Sequence, residues 1–526
     1  MSNREIWVAD SETDPFKAGR IPKPFIWGAY NGSEYRQFDT TNDFVDFISE
    51  HDCIVYAHNG GKFDWHFLLH RLEAFEPLMV INGRLARFTI GLAEFRDSYN
   101  ILPFPLSAYK KDDIDYAIFE PDERIKHENR LKIEAYLKSD CRHLYSVVSQ
   151  FIDRYGIHLT QAGAAMKTWQ KIAETKAPKT TPEFYDTLKP YYYGGRVECF
   201  TSGIIETDFD VIDINSAYPY AMKHLHAYGD TYDISDELPK SRAYTERSFI
   251  KVYCISRGAF PFRGEKGLEF PDDDIARVYH VTGWEFLAAS DTGCLYNMEI
   301  LQVISFNESI RFDDYIDYFY AMKSECKDKG DDAGYLFAKL FLNSLYGKFG
   351  ANPDNYKEYT VTQHCYIQAA EQDNYYYDAD LGPWALLSRE LSEEKQHYYN
   401  VAVAASITGF VRAYLWRAIK ACTGVLYCDT DSIACTSTGA LELDSSKLGA
   451  WDIEARCDFA AIGGKKLYAF HTTSGKWKTA SKGVRLSADE IVKVAQGQEI
   501  EYAPENPSFS LKRGIQFVSR NVAKTA

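Results

Sequence analysis

The segment Tyr427-Cys428-Asp429-Thr430-Asp431-Ser432 places two carboxylates at i and i+2, with apolar Gly424-Val425-Leu426 before it and Ile433-Ala434 after it. That pattern reads as a hairpin whose tip holds Asp429 and Asp431. Side chains at i and i+2 of a strand share a face, so both acids are expected to aim at one site. Hard oxygen ligands held this way suit Mg²⁺, which takes a few carboxylates plus substrate phosphates. Further clusters carry the same chemistry: Asp10-Ser11-Glu12, Asn59 to Asp64, Tyr136 to Asp140 and Asp213 to Pro219. One acidic pair is common in any chain. Several, each on local structure that would present it, point to phosphoryl transfer at paired metal ions.

Each cluster needs an element to hold it. Glu5 to Asp10, with Ile6 and Val8 inward, is expected as a strand that ends where Asp10 and Glu12 stand. Ile54 to Ala57 is a second strand, followed by the loop His58-Asn59-Gly60-Gly61 and a helix from about Lys62 to Arg71 that puts Asp64 in its first turn. Glu128 to Tyr155 reads as a long amphipathic helix, because Leu131, Tyr136, Leu144, Val147, Val148 and Phe151 recur near a 3.6-residue spacing and Gly156 stops it. Tyr136 and Asp140 then lie one above the other on a helix face. Asp10, Glu12, Asp64 and Asp140 come from distant segments and together suffice for two metal ions, one to activate a water and one to stabilise a leaving oxygen. Tyr136 is placed to orient the water and Asn59 to hold the end of the strand. Strands and helices to about residue 170 make a mixed α/β unit.

Lys176 to Pro182 reads as a linker. Beyond it, Asp208 to Asn215 is strand-like and Pro219 cannot continue a central strand, so Asp213 falls at a strand end. Asp331 to Phe349 is expected as a helix. At 100° per residue Lys339, Asn343, Tyr346 and Tyr335 fall within about 80° of one another, opposite Phe337, Leu340, Phe341 and Leu345. One face packs; the other offers a cation to a triphosphate and rings to a base pair. Gly347 removes bulk where a backbone or base must come close, and Lys327, three to four turns earlier, is expected to add a second phosphate contact. Two turn-rich, aromatic stretches, about 224–318 and 351–398, read as insertions.

The chain has 526 residues, 45% hydrophobic, with a formal charge of −16. That length predicts several domains. No apolar run is long enough for a transmembrane helix, and Met1 to Glu5 leads straight into a strand without a signal-type apolar stretch. The eleven cysteines contain no CxxC pair, which excludes zinc-ribbon spacing and fits reduced thiols in a cytosol. The charge is uneven: residues 461–526 hold 11 Lys/Arg against 5 Asp/Glu. That basic segment, with Lys465, Lys466, Lys476, Lys478, Lys482 and Arg485, is suited to phosphate contacts.

Taken in order, these residues resemble two known sets of motifs. Asp10-x-Glu12, Asn59 to Asp64 and Tyr136 to Asp140 resemble the three motifs of DEDD-type 3′–5′ exonucleases in their Tyr-containing variant. Asp213-x-x-Ser216-x-Tyr218-Pro219, Lys339-x-x-x-Asn343-Ser344-x-Tyr346-Gly347, Tyr427-x-Asp429-Thr430-Asp431-Ser432 and Lys466-x-Tyr468 resemble motifs A, B, C and K-x-Y of family B DNA polymerases. Tyr192-Tyr193-Gly194-Gly195 resembles the Y-x-G-G motif of protein-primed bacteriophage polymerases, and Arg20 to Phe25 with Tyr56 to Phe63 looks closest to tectivirus-type enzymes.

The resemblance implies an N-terminal RNase H-like 3′–5′ exonuclease domain (1–172) and a right-hand polymerase domain (173–526): an α/β and α+β multidomain chain. In the second, it implies a palm with motifs A and C, a first terminal-protein-region insertion (about 224–318), fingers (about 319–350), a second insertion (about 351–398) and a thumb (about 484–526). By the same resemblance Asp213, Asp429 and Asp431 serve synthesis, and Asp10, Glu12, Asp64 and Asp140 are ligands of the trimming site. Each site would hold two Mg²⁺ or Mn²⁺ ions. Tyr218, Lys327, Lys339, Asn343 and Tyr346 would meet the nucleotide, with Tyr218 against the sugar. Asn59, Phe63, Ser98, Tyr192, Gly194, Gly195, Tyr427, Thr430, Lys466, Tyr468 and Lys482 would meet DNA. The lysine that such exonuclease sites carry has no counterpart legible in the sequence.

The implied function is template-directed DNA synthesis with proofreading on a linear viral genome in the host cytoplasm. Its partners would be template, primer strand, dNTPs and a terminal protein whose hydroxyl accepts the first nucleotide, with no membrane. The enzyme would be a monomer or a heterodimer with that protein. Rival readings are a family B enzyme primed only by nucleic acid, and an exonuclease or DNA-binding scaffold with a silent polymerase half. Thr430 between the acids argues against a reverse transcriptase, which has adjacent aspartates.

Overall fold

The fold was obtained as a computed structural model, which describes residues 4–525 apart from Pro178 and Lys266. The opening Met1-Ser2-Asn3 and Pro178 of the expected linker therefore lie outside the described residues. Among the described residues no helix is long and apolar enough to cross a membrane.

The N-terminal unit is built on a seven-stranded sheet whose centre is Glu5–Thr13, Cys53–Ala57 and Ala93–Asp97, paired in parallel, with antiparallel strands outside them. The first strand is buried on both faces. Val8 joins a core under the long helix, while Trp7 and Ala9 join a core on the opposite side. The simple alternation read from the sequence is thus replaced by a near-continuous apolar run, as a central strand covered on both faces requires.

The long helix spans His127–Tyr155 and buries Ile133, Tyr136, Leu137, Asp140, Cys141, Leu144, Val147, Val148 and Phe151. Each apolar side chain removed from water contributes roughly 1.5–3 kcal/mol, which is what keeps a helix of this composition on the sheet. Leu131, expected on that face, is exposed.

The second sheet runs in the order Trp477–Ser481, Leu467–Thr472, Trp451–Gly464, Phe209–Ile214, Ser432–Ser437, Thr423–Asp429, Val197–Cys199. Both motif-bearing segments, Phe209–Ile214 and the Thr423–Ser437 hairpin, therefore lie at its centre. Helix Val401–Ala421 is buried along most of its length and leads into that hairpin.

Helices Asp313–Lys329 and Asp332–Phe349 form a hairpin turning at Gly330. The turn-rich stretches are ordered: His226–Ile310 contains a four-stranded sheet and Lys357–Glu390 a three-stranded one. The latter packs on the N-terminal unit, for Val361, Leu381 and Leu386 share a core with Trp65 and Phe88. Buried side chains also run without a break from Leu137 and Phe151 to Phe337 and Phe341.

Candidate active sites

The Phe209–Ile214 strand carries Asp213 between Ser432 on one side and Asp452 on the other. After it Ser216 takes a left-handed turn at φ 56°, and Pro219 falls inside the short helix Ala217–Met222. Ile214 N–H donates to the Asp431 carbonyl at 2.9 Å, which brings the hairpin tip to the end of this strand. Burial first, then the neighbouring Asp431, Glu454 and Asp452, push the Asp213 carboxyl up to about 7. Burial and Asp429 push Asp431 up to about 6. Asp213 and Asp431 thus share one buried, acid-rich environment, which Lys478 and Lys466 only partly offset.

Asp429 differs from the expectation. It ends the strand Thr423–Asp429, and a tight turn at Thr430 (φ 60°) and Asp431 follows at once. The two acids therefore do not share a strand face; the chain reverses between them. The Lys466 ammonium donates to both Asp429 carboxylate oxygens, at 2.8 and 2.7 Å. The turn is held from outside: Thr430 N–H donates to the Arg196 carbonyl at 2.6 Å. Gly195 lies so close that a Cβ there would stand 2.7 Å from the Thr430 methyl group. Gly194 has open space around it, and its carbonyl accepts from Arg412 at 2.8 Å.

Tyr218 and Tyr346 stack with ring centroids 4.1 Å apart and planes 3° apart. Asp431 raises both phenols further, after burial has done so, which places the pair beside the acids; Tyr192 acts on both as well. Lys339 and Asn343 are exposed on the open face of helix Asp332–Phe349, and Phe337, Phe341 and Leu345 are buried on the other, as the spacing predicts. Leu340 is only partly buried. Lys327 is on the antiparallel helix Asp313–Lys329, in its last turn, not on an earlier turn of the same helix. Lys323 of that helix lies 5.9 Å from the Tyr335 ring.

Other residues expected at DNA divide. Tyr427 is buried, and its hydroxyl accepts the Lys466 N–H at 2.8 Å. It supports the K-x-Y segment from beneath and is not presented to a strand. Tyr468 stacks on Phe470 at 4.3 Å and stays half-buried, while Lys482 is exposed.

The N-terminal acids also gather. Asp10 and Glu12 lie within the strand, which continues to Thr13, but its parallel partner leaves it after Val8. That side is open to Asp64 and Asp140. Ser11 donates to Asp64 Oδ1 at 2.6 Å. Burial, then Glu12, Asp64 and Asp140, hold the Asp10 carboxyl well above its usual range. Burial and Asp140 push Glu12 up to about 8, and burial pushes Asp64 up to about 7. Asp140 is raised by burial too.

The helix expected over Lys62 to Arg71 is two short 3₁₀ turns, Gly60–Lys62 and Asp64–Arg71, broken at Phe63. Phe63 meets Phe16, Phe67 and Phe509 edge-on at 5.0 to 5.7 Å. Asn59 is left-handed at φ 63°, and its side-chain oxygen accepts from Arg84. Ser98 is fully buried, donating to the Ala57 carbonyl at 3.2 Å. It braces the Asn59 loop from behind and does not face a strand.

The sequence reading missed Lys111. It sits in an irregular stretch, its ammonium 5.9 Å from the Tyr136 ring, and its charge lowers Asp10, Glu12 and Asp140. Only the run Lys110-Lys111-Asp112-Asp113 marked it, and such a run is ordinarily a solvated face. Tyr116 joins it, 3.2 Å from the Tyr136 hydroxyl. Arg412, also missed, is buried; it pairs with Glu285 at 2.7 Å and donates to the Tyr193 carbonyl at 2.7 Å.

The acid sets fit divalent ions. Glu12 Oε1 and Asp140 Oδ1 are buried without a hydrogen-bond partner, and of the four raised carboxyls Asp10, Glu12 and Asp140 are lowered by the Lys111 ammonium. Among the described residues no three His, Cys, Asp or Glu side chains form a ready ligand group. Water and substrate phosphate would complete the shells, as Mg²⁺ commonly requires.

A family model described as DNA polymerase type B, organellar and viral, matches residues 103–408. The DNA-directed DNA polymerase of Enterobacteria phage PRD1 is 37% identical over 99% of this chain and 98% of its own length. The DNA polymerase of Bacillus phage phi29 is 26% identical over 80% of this chain and 79% of its own. The solved structure of phi29 DNA polymerase with primer-template DNA and incoming nucleotides has a TM-score of 0.77 to this fold, at 20% identity and 100% coverage of both chains. The chain belongs to the organellar and viral type B DNA polymerases and is a DNA-directed DNA polymerase.

Proposed function

We propose that the chain copies a linear viral genome in the host cytoplasm, primed by a terminal protein, and removes mismatched 3′ ends at a second site. The observation that carries the two-site reading is that Asp213 and Asp431 share one environment, while Asp10, Glu12, Asp64 and Asp140 share another. Protein priming is supported by the likeness to the PRD1 polymerase and by the Tyr192 to Gly195 segment packed on the motif C turn.

Asp213 and Asp431 would hold two Mg²⁺ ions, or Mn²⁺. When bound, such ions would supply Lewis-acid charge for phosphoryl transfer with loss of pyrophosphate. Lys339 and Lys327 neutralise charge on the departing phosphates, and preorganised cations of this kind do so without reorganising water. Lys466 holds Asp429 and keeps the turn rigid. Asn343 and the Tyr218–Tyr346 stack frame the nucleotide. At the other site Asp10, Glu12, Asp64 and Asp140 would hold the ion pair, and Tyr136, with Lys111 against its ring, orients the attacking water.

Tyr218 would set a flat wall against a ribose 2′ oxygen. Tyr218→Val is expected to raise ribonucleotide incorporation relative to deoxyribonucleotide by about 100-fold, since steric exclusion at a buried site is worth a few kcal/mol. Unchanged sugar selection in paired single-nucleotide assays would remove the gate role.

Priming is tested by mixing the enzyme with labelled dNTP, Mg²⁺ and the protein encoded beside it. Alkali-sensitive or alkali-stable covalent label on that protein's hydroxyl residue is expected. Label appearing only on oligonucleotide primers would limit the enzyme to nucleic-acid priming.

A further inference from the structure

The C-terminal end of the His127–Tyr155 helix is set into the hairpin that carries the nucleotide-binding face. Arg154 Nη2 meets Asp331 Oδ2 at 2.7 Å, with about a third of each side chain exposed. Asp331 is the N-cap of helix Asp332–Phe349 and accepts the Gly334 N–H at 2.9 Å. The Arg154 guanidinium lies 5.6 Å from the Phe337 ring centroid. A Cβ at Gly334 would stand 2.5 Å from Arg154 Nη1, so a larger residue there would displace the arginine. Next to it Tyr155 stacks on Phe341 at 4.3 Å, and its hydroxyl donates to Met322 Sδ on the other helix of the hairpin at 3.8 Å. Phe151 meets Phe337 edge-on at 5.6 Å.

The aromatic contacts hold the hairpin against the N-terminal unit but are weakly directional, so they permit sliding and rocking. A charge-assisted hydrogen bond fixes direction. Phe337 and Phe341 are on the buried face of the helix whose open face carries Lys339 and Asn343. Any rotation of that helix about its seat moves both polar groups. Arg154 is also about four turns along the same helix from Asp140, so one rigid element seats the hairpin and bears a trimming-site acid.

We propose that Arg154 is a positioning residue: its ion pair with Asp331 sets the angle of the helical hairpin, and so the placement of Lys339 and Asn343 over Asp213 and Asp431. This rests on the nucleotide role given above to Lys339 and Asn343.

The test uses the full-length enzyme on primer-template with Mg²⁺, in steady state against dNTP. Arg154→Gln and Asp331→Asn (which keeps an N-cap acceptor) are each expected to raise the KM for dNTP about fivefold with kcat within about twofold, the scale a part-exposed ion pair supports. The double variant should be no worse than either single, because both remove one contact. Arg154→Lys should recover part of the loss. Degradation of single strands without dNTP should be unchanged. An unaltered KM, additive effects, or a parallel fall in single-strand degradation would overturn the proposal. Lys339→Ala is the reference: if it leaves KM unaltered, the nucleotide reading fails; if it raises KM and Arg154→Gln does not, only the positioning role fails.

Discussion

Asp431→Asn is expected to lower nucleotide incorporation about 1000-fold or more while leaving 3′–5′ degradation of single strands intact. Asparagine keeps the size of the side chain, and the Asp431 carbonyl that accepts from Ile214 belongs to the backbone, so the hairpin should keep its place. What would be lost is one of two carboxylates proposed to balance the ions together, and groups aimed at transition-state charge cost this much when removed. The native carboxyl pKa is raised to about 6, above its value in an unfolded chain. Its charge therefore opposes folding above pH 6 in the absence of ions, and this opposition is relieved as pH falls through 6 toward the unfolded value. In EDTA at pH 8 the variant should melt no lower than the parent, and the difference should shrink by pH 5. Ion binding needs the charged acids, and Asp213 is pushed up to about 7. The Mg²⁺ concentration for half-maximal incorporation should thus rise as pH drops from 8 to 6. Primer extension and single-strand digestion on the same preparation decide the matter: loss of both activities together would undo the separation into two sites.

The reciprocal variant, Asp10→Asn with Asp64→Asn, is expected to suppress single-strand degradation by about 1000-fold and leave matched primer extension within about twofold. Four carboxyls sit in that nest, with Lys111 as the cation that lowers Asp10, Glu12 and Asp140. Removing two of the four carboxylates would weaken the attraction for a divalent ion. Ser11 can still donate to the amide oxygen that replaces Asp64 Oδ1, so the strand and the Asn59 loop should stay in place. Digestion of a labelled oligonucleotide and extension from a mismatched end measure the two effects. Continued digestion in the double variant would show that the nest is structural.

The placement of most candidate acids on their elements was legible because it is local. The Asp213 strand and the Tyr136–Asp140 pair each reside on one element, and spacing alone put them there. The open face of the Lys339 helix follows from helical periodicity in the same way. What failed needed a neighbour. Asp429 and Asp431 were read as one face, yet a left-handed Thr430 reverses the chain between them, held by Arg196 and Gly195 from the segment just before strand Val197–Cys199, more than 200 residues earlier. Ser98 and Tyr427 were expected at DNA, but both are buried as braces, and nothing in their own segments reports what covers them.

By itself the sequence determined on which elements the candidate acids lie and in what order, because strand and helix periods and the residues that end them are properties of short segments. The tertiary structure decided everything that depends on segments meeting. It put Lys111 beside Tyr136, gave Asp429 to Lys466, carried Lys327 onto the opposite helix of its hairpin and set Arg154 into the seat of Asp331. Distant charges find one another only after the cores between them have closed, and no spacing within a single segment encodes that distance.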